Sequence, residues 1–540
     1  MKKWSVLVIL GCAQFVMVLD GTVMNVSISA VVEDLDSTVA AMQTAITFYT
    51  LTMASLMLLG AKLGDVWGRR RALVIGSIVY ALGSLLTAIA PNMPVLFLGW
   101  SVIEGLGAVL VIPAIAALIA DNYQGKDRIT AFAMIGALSG AAVAAGPLIG
   151  GFVTTYFSWR YVFVAEVVIM AGVVLFARGI ADRADRRPIR IDVLSVLLSA
   201  AGLLLVVYGM LQSKVWGWIR PLNFPEINGV PIAPLGISLT AWFMVIGIAL
   251  LALFFSRQRR LLGQGKEPLV HVSMLAIRQL RSGLTVLGAQ YAMTAGLFFM
   301  VPVYLQMTLG LDALETGIRI FPLSVSLIVF SIAGTRLTRV WSPRRIVRVG
   351  QWILVVSAVV LLSAIDPELS GWVFGIGMFC AGAALGLLAS QLGNVNMSAV
   401  TEKDTSEVGG LQGVFQNLGS SLGTALIGSI MIGALATSFS AGVSSSTLPA
   451  EVQQIIAERT AGGVETVPAS TVEQIGIDAG LEAAEAETLA RLYVESQLSS
   501  LRVAFFALVV IALFSLFFSR GIPNEVVGGR ATLAATRRPQ

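Results

Sequence analysis

Charged residues are scarce in this chain of 540 residues, and so are histidine and cysteine. Charged side chains make up 12% of the chain, whereas a soluble protein carries about 25%. His271 is the only histidine, which excludes a site that binds a metal through several histidines. Cys12 and Cys380 both fall in apolar segments, so buried thiols are expected rather than a disulfide. We therefore expect neither a metal site nor a cofactor.

A nucleotide-binding loop is also missing, because the pattern Gly-x-x-x-x-Gly-Lys-Ser/Thr occurs nowhere. Its absence argues against transport driven by ATP hydrolysis within this chain. The sequence also lacks a soluble segment large enough to serve as the output domain of a sensor. We expect neither an enzyme nor a receptor.

Long apolar runs dominate what is present. Hydrophobic residues make up 56% of the chain, and the mean hydropathy is +0.84. A helix needs about 20 apolar residues to cross a bilayer. Runs of about that length cover 5–31, 39–61, 73–90, 94–119, 129–154, 161–179, 191–212, 235–256, 283–308, 316–335, 349–365, 372–397, 408–437 and 500–519. The pattern predicts an all-α membrane protein with 14 transmembrane helices.

The formal net charge of +5 reflects an uneven placement of lysine and arginine. An even number of crossings puts both termini on one side of the membrane. If that side is the cytoplasm, 29 of the 36 basic residues lie inside. The other seven, outside or near the outer ends of spans, are Arg160, Lys214, Arg220, Arg319, Arg459, Arg491 and Arg502. This asymmetry follows the positive-inside rule, so the charge indicates orientation rather than nucleic-acid binding.

Basic connectors at 178–190 and 257–281 divide the spans into groups of six, two and six. The division predicts an N-terminal six-helix bundle at 1–182, a two-helix insertion with its flanking cytoplasmic connectors at 183–282, and a C-terminal six-helix bundle at 283–540.

A repeated loop supports this division. Residues 60–71 read GAKLGDVWGRRR and residues 334–345 read GTRLTRVWSPRR, with six of twelve positions identical. Each loop follows the second span of a six-span group. We interpret the repeat as duplication of a six-helix unit in parallel orientation, as in two-bundle transporters.

Residues 438–499, between the last two spans, are soluble in character. They carry nine acidic and two basic residues. Helical patterns at 450–461 and 481–498 predict a small helical cap outside the membrane. A flexible acidic loop is the alternative.

Three acidic residues interrupt the spans: Asp20 in span one, Glu104 in span four and Glu166 in span six. A carboxylate at membrane depth costs about 2.5–3.5 kcal/mol on insertion scales, so it persists where it faces a protein interior or a water-filled path. Carboxyl groups there carry protons or bind cations. We expect all three to line the interior of the first bundle and to couple transport to protons. The alternative for Glu166 is an ion pair with Arg160 near the surface.

The first copy of the repeated loop contains groups suited to a gate. Gly60 and Gly64 let backbones approach closely. Asp65 can accept hydrogen bonds from the N-terminus of a neighbouring helix or from an arginine. Together with Gly68 and Arg69, these residues are predicted to hold one face closed and to release it when the bundles rock.

This loop resembles the motif between helices two and three of the major facilitator superfamily. LDGTVMNV at 19–26 resembles the first-helix motif of its fourteen-span drug:proton antiporter group, GPLIGG at 146–151 resembles the antiporter motif, and FSWRYVF at 157–163 resembles the turn that follows. With the six-two-six layout, the resemblance covers the whole chain. It implies the major facilitator fold and proton-coupled export of drugs.

Several positions depart from the family pattern. Val66 stands where the family often has arginine, and Ala142 where the antiporter motif has glycine. The fourth-helix motif Arg-x-x-Gln-Gly reads SVIEG at 101–105, so its arginine is absent and Glu104 replaces the glutamine. Glu166 stands where the family often has asparagine. The proton route is therefore expected to depend on this chain's own carboxyl groups.

Gly146 and Pro147 predict a bend in span five and close packing that governs how the bundle rocks. In several spans, polar, flexible and aromatic side chains are candidates for binding varied apolar ligands, and plain packing between helices is the alternative. The predicted substrate-binding residues are Asp20, Asn25, Gln290, Tyr291, Met293, Phe298, Asn394 and Gln416.

The sequence favours a monomeric, proton-driven multidrug efflux antiporter for amphipathic, lipophilic or cationic small molecules, which works by alternating access. We place it in the cytoplasmic membrane with both termini in the cytoplasm. Export or flipping of a lipid, a lipid precursor or a natural product on the same fold is the alternative. The expected partners are this small-molecule or lipid substrate, protons and membrane lipids, without nucleic acid.

Overall fold

The structure, a computed structural model, describes residues 4–182, 191–222, 226–227, 230–231, 233–365, 371–400, 405–446, 448–450, 453–454, 456, 464, 466–478 and 481–525. Within these ranges, 14 helices are long and apolar enough to cross a membrane. They are α1 Ser5–Val26, α2 Val39–Trp67, α3 Arg69–Ala88, α4 Met93–Asn122, α5 Gly125–Tyr156, α6 Arg160–Phe176, α7 Val193–Trp216, α8 Leu239–Gly263, α9 Arg278–Val303, α10 Ala313–Leu337, α11 Pro343–Ser363, α12 Gly371–Met397, α13 Thr405–Ser444 and α14 Ala483–Phe518. The predicted number of transmembrane helices is confirmed.

Small elements connect these helices. Short helices occupy Ile28–Asp34 and Ala469–Asp478, and single turns of 3₁₀-helix occupy Ala177–Gly179, Pro234–Gly236, Val272–Ala276 and Ser519–Gly521. Between α7 and α8, β1 Glu226–Ile227 pairs antiparallel with β2 Val230–Pro231. Two π-helical segments, Phe97–Glu104 within α4 and Tyr304–Thr308 after α9, interrupt the regular helices.

Helix ends follow local chemistry. The Thr38 side chain accepts a hydrogen bond from the Ala41 amide at the start of α2, and Asp312 and Glu315 form a capping box at the start of α10. Each cap satisfies backbone amides that have no partner within the helix. Gly68, with φ of 99°, separates α2 from α3, because this backbone conformation is strained for other residues.

The last two long helices extend beyond a membrane. α13 has 40 residues, about 60 Å at 1.5 Å per residue, whereas the hydrocarbon layer is about 30 Å thick. The extra turns of α13 and α14 pack together and against the short helix Ala469–Asp478. The buried side chains of this cluster are Leu435, Phe439, Val443, Leu448, Val472, Leu489 and Tyr493.

This cluster gives part of the predicted cap an apolar core. The pattern predicted at 481–498 is helical from Ala483 onward. The pattern predicted at 450–461 falls mostly outside the described residues. We call the end of the molecule that carries this cluster the capped end. The opposite end, where Gly68 joins α2 to α3, is called the basic end.

Equivalent helices of the two halves pack in the same way. In α2, Gly60 touches the backbone of Val109 in α4, and in α10, Gly334 touches Ser390 in α12. A Cβ at either glycine would overlap the neighbouring helix. The two glycines begin the two copies of the repeated loop, so the copies occupy equivalent positions in three dimensions as well.

The insertion contacts both bundles. α7 and α8 pack against each other, and α7 also packs against α2 and α13. The Lys214 Nζ of α7 donates a hydrogen bond to Gln43 Oε1 of α2 at 3.1 Å. The amide nitrogen of Gln43 in turn donates to the carbonyl oxygens of Thr424 and Ala425 in α13. One end of α7 therefore lies at the junction between the bundles, near the capped end.

Candidate functional site

Asp20, Glu104 and Glu166 come together inside the N-terminal bundle. Each offers a carboxylate oxygen, and these oxygens lie within 4.8 Å of one another. The three residues are 0%, 0% and 2% exposed. We call them the acidic triad. The alternative ion pair between Glu166 and Arg160 is wrong, because Arg160 binds Asp34 at 2.7 Å instead.

Asp20 is held by an indole ring. Trp100 Nε1 of α4 lies 3.1 Å from Asp20 Oδ1 and 2.9 Å from Oδ2. The Trp100 ring stacks on Tyr49 of α2, with the ring centres 5.0 Å apart. This stacking fixes the direction of the indole N–H, so the donor points at the carboxyl group.

A serine lies between the two glutamates. Ser84 Oγ of α3 is 2.9 Å from Glu104 Oε2 and 3.1 Å from Glu166 Oε2. The Tyr80 hydroxyl, one turn away on α3, donates to Glu166 Oε2 at 3.5 Å. The remaining oxygen of each glutamate, Oε1, is buried without a hydrogen-bond partner.

The close approach of α3 and α4 creates this arrangement. Gly83 lies against the backbone of Glu104 and Gly99, and a Cβ at Gly83 would collide with it. The facing stretch of α4, Phe97–Glu104, is π-helical, a wider turn that is frequent at functional sites. The missing side chain and the wide turn together bring Ser84 within reach of Glu104.

The acidic triad has no basic counter-ion among the described residues, since none of their ion pairs involves its members. Three ionised carboxylates this close would repel one another strongly in a medium of low dielectric constant. Three carboxyl groups in this arrangement are therefore suited to sharing protons or to binding a hard cation through their oxygen atoms.

At the basic end, the predicted gate residues form contacts within one bundle. Arg69 binds Asp121 of α4 at 2.5 Å and lies 3.7 Å from Asp65. Gly60 packs on α4, and Gly64 makes ordinary contact with Ala72 of α3. In the part of the chain that the structure describes, Asp65 accepts no hydrogen bond from a helix N-terminus. The partner of Asp65 is therefore an arginine, one of the two partners expected from the sequence, and the gating role of these residues stays a prediction.

The two bundles are also in contact at the capped end. Gly317 of α10 lies directly against the carbonyl oxygen of Pro147 in α5, where a Cβ would overlap it. The Leu314 amide donates to Thr155 Oγ1 at 3.1 Å. Gly146, beside Pro147, packs on Thr22 of α1. The predicted Gly-Pro pair therefore lies where α5 meets both α1 and α10.

A family model for the Major Facilitator Superfamily matches residues 10–424. The chain belongs to the major facilitator superfamily. The family predicted from the motifs is confirmed, and so is the fold.

Relatives in this superfamily include export and resistance proteins of Streptomyces. A puromycin resistance protein of Streptomyces alboniger is 29% identical over 442 residues, which cover 81% of this chain and 83% of the relative. The tetracenomycin C resistance and export protein of Streptomyces glaucescens is 25% identical over 97% of this chain and 93% of its own length. A probable actinorhodin transporter of Streptomyces coelicolor is 27% identical, over 82% and 75%.

Solved structures of superfamily members share the fold. The inward-facing, occupied structure of a bacterial homologue of the human lysosomal transporter Spinster has a TM-score of 0.58 at 16% identity, over 96% of this chain and 97% of that one. A D-xylose–proton symporter has a TM-score of 0.55 at 11% identity, over 96% and 98%. At these identities the likeness establishes the fold alone.

Within this superfamily fold, the predicted substrate-binding residues are spread widely. Gln290, Met293 and Phe298 are buried in the C-terminal bundle, and Met293 lines a small pocket with Leu354 and Phe505. Asn25 is buried, and its side-chain amide donates a hydrogen bond to the Gly21 carbonyl oxygen. Tyr291 and Gln416 are half-buried, and Asn394 is exposed. Only Asp20 belongs to the acidic triad.

The residues around the triad were missed from the sequence. Tyr49, Tyr80, Ser84 and Trp100 surround the carboxyl groups, and all are buried. The sequence provided only a weak indication of these residues, since each is a single polar or aromatic residue in an apolar helix.

A Gly-x-Ser-x-Gly pattern at 419–423 resembles a hydrolase nucleophile motif. It lies within α13, where Ser421 donates to the Thr47 carbonyl oxygen, so it serves helix packing.

Proposed function

We propose that this member of the superfamily exports amphipathic, lipophilic or cationic small molecules in exchange for protons. The observation that carries the proposal is the acidic triad, three buried carboxyl groups without a basic partner among the described residues. The relatives include resistance and export proteins, which supports the substrate class.

Competition for one set of carboxyl groups would couple the two fluxes. A proton neutralises a buried carboxyl group, whereas a cationic substrate favours the ionised form. The two ligands therefore exclude each other. Opening the capped end and closing the basic end would then present the same groups to the other side of the membrane.

The orientation and organisation follow from the charges. Because most lysines and arginines among the described residues lie at the basic end, we assign that end and both termini to the cytoplasm, in a cytoplasmic membrane. The bundles are assigned to 1–182 and 283–540, and the insertion to 183–282. A monomer contains the complete triad and needs neither a cofactor nor a second protein.

A natural product made by the same cell is the second candidate substrate. The names of the tetracenomycin C exporter and the probable actinorhodin transporter favour it. A lipid or lipid precursor remains the other class of cargo. Efflux from proteoliposomes with a cationic dye, an aromatic polyketide and a fluorescent phospholipid would separate these substrates.

The coupling is tested in proteoliposomes under an imposed pH gradient. We expect Asp20→Asn and Glu104→Gln to lower uphill transport at least tenfold while substrate still moves down its own gradient. Glu487→Gln, in the exposed part of α14, is the matched control and should behave like the wild type. Full proton-driven uphill transport by both neutral variants would disprove the mechanism.

A further inference from the structure

The single proton of Ser84 constrains the charge of the two glutamates. A serine hydroxyl has one O–H to donate, and its other contacts must be accepted. Ser84 Oγ is within hydrogen-bond distance of one oxygen of Glu104 and one of Glu166. One O–H forms a linear hydrogen bond to only one of them, so the other contact fits a glutamic acid that donates to Ser84.

The hydrogen bonds of Trp100 favour an ionised Asp20, whereas the contacts of Ser84 favour a protonated glutamate. An indole N–H is only a donor, and this one lies near both oxygens of Asp20. The ionised carboxylate is the form that accepts with both oxygens. Tyr49 and Tyr80 are the other titratable groups that face the triad, and among the described residues no lysine, arginine or histidine binds it.

We propose that Ser84 is a positioning residue that makes Glu104 and Glu166 share a proton, while Asp20 stays ionised as the group that meets a cation. In the exchange, the acid proton of Glu166 passes to Ser84 Oγ as the Ser84 proton passes to Glu104. The charges of the two glutamates swap, and the serine is unchanged. This assignment rests on the proposed proton coupling. It assigns the proton to the two glutamates and the cation to Asp20.

The same helix offers a matched control. Ser77 lies two turns from Ser84 on α3, is fully buried, and has a hydroxyl without a hydrogen-bond partner. Ser77→Ala thus removes a buried hydroxyl that contacts no carboxyl group. Ser84→Thr keeps the hydroxyl and should restore whatever Ser84→Ala loses.

The first measurement is an infrared titration of the full chain in detergent, which follows the carbonyl stretch of protonated carboxyl groups. We expect this band at neutral pH to fall in Glu104→Gln and Glu166→Gln and to persist in Asp20→Asn. Ser84→Ala should change the titration of the band, whereas Ser77→Ala and Ser84→Thr should not. A Ser84→Ala titration identical to that of Ser77→Ala would overturn the shared proton.

The second measurement is the pH profile of proton-driven transport in proteoliposomes. We expect Ser84→Ala to lower the uphill rate at least tenfold and to move the profile, while downhill transport continues. An unmoved profile would overturn the role of Ser84. If the wild type shows no proton-driven transport but the infrared band depends on Ser84, the proposed function fails and the shared proton stands.

Discussion

Gln306, in the π-helical segment after α9, forms hydrogen bonds across the boundary between the two bundles, to Val26 at the end of α1 and to Ser29 just beyond it. Its Nε2 donates to the Val26 carbonyl oxygen at 2.6 Å, and its Oε1 accepts from the Ser29 amide at 3.1 Å. The α5–α10 contact joins the bundles at the same end of the molecule. At the basic end, Asp65 instead pairs with Arg69 of its own bundle. The conformation is therefore closed at the capped end.

Gln306→Ala should open the capped end more often. The buried carbonyl oxygen of Val26 and the half-buried amide of Ser29 would lose their partner, which costs about 1–3 kcal/mol. A shift of roughly 5- to 150-fold between the two conformations follows from that energy. The distance between spin labels at Phe157 and Ser445, both exposed at the capped end, measures the shift. Gln412→Ala removes an amide–carbonyl bond to Gly393 within one bundle and should leave the distance unchanged.

Gly317→Val should prevent closure of the capped end. The added side chain would occupy the space of the Pro147 carbonyl oxygen. Interiors are packed too densely to absorb such an overlap without moving helices. We expect transport to fall at least tenfold and the same spin-label distance to lengthen. Gly375→Val, where a Cβ meets open space, is the control. Normal transport by the Gly317 variant would show that the α5–α10 contact is dispensable.

Asp192→Asn should weaken the insertion in a pH-dependent way. Asp192, just before α7, accepts hydrogen bonds from Arg257 of α8 at 2.6 and 2.8 Å, and these lower the pKa of Asp192 from 3.8 to about 2. A depressed pKa stabilises the fold above pH 3.8, and the contribution disappears as the pH falls towards 2.

The melting temperature in detergent should drop in the Asp192→Asn variant at pH 7, and the difference from wild type should shrink between pH 4 and pH 2. A difference independent of pH would contradict this account. Glu33→Gln is an exposed control.

Glu407→Gln should loosen the connector at 264–277. Glu267 of this connector lies 3.5 Å from Lys62 in α2. Glu407 of α13 lies 2.7 Å from His271 Nδ1 and also accepts from the His271 amide. The connector thus binds both bundles at the basic end. In the variant, local opening of the connector should cost less free energy, because the contact between Glu407 and His271 is weakened. Trypsin should therefore cleave after Lys266 about five- to tenfold faster than in the wild type. Equal cleavage rates in the variant and wild type would show that the contact does not hold the connector.

Much of the fold was accessible from the sequence because it depends on local composition. A run of about 20 apolar residues is enough to identify each crossing, and the loop that begins at Gly60 recurs at Gly334. The helix at 481–498 was predicted, but its continuation into the last span as the single helix α14 was not, because the acidic stretch and the apolar stretch differ in composition. The substrate-binding set was predicted from residue type and stays a prediction. The burial of Met293 and Phe298 within the C-terminal bundle was not predicted, because hydropathy does not reveal which face of a helix a side chain occupies.

The order of residues alone identified fourteen segments long and apolar enough to cross a membrane, a loop that occurs twice, and three carboxyl groups within those segments. Each of these features can be recognised from the free energy of placing one residue or one short segment in the lipid bilayer. The packed helices alone settle that Ser84 lies between Glu104 and Glu166, that Trp100 holds Asp20, and that the bundles meet at the capped end. A hydrogen bond needs two groups within about 3 Å, and residues from different helices reach that distance only through close contacts such as the one at Gly83.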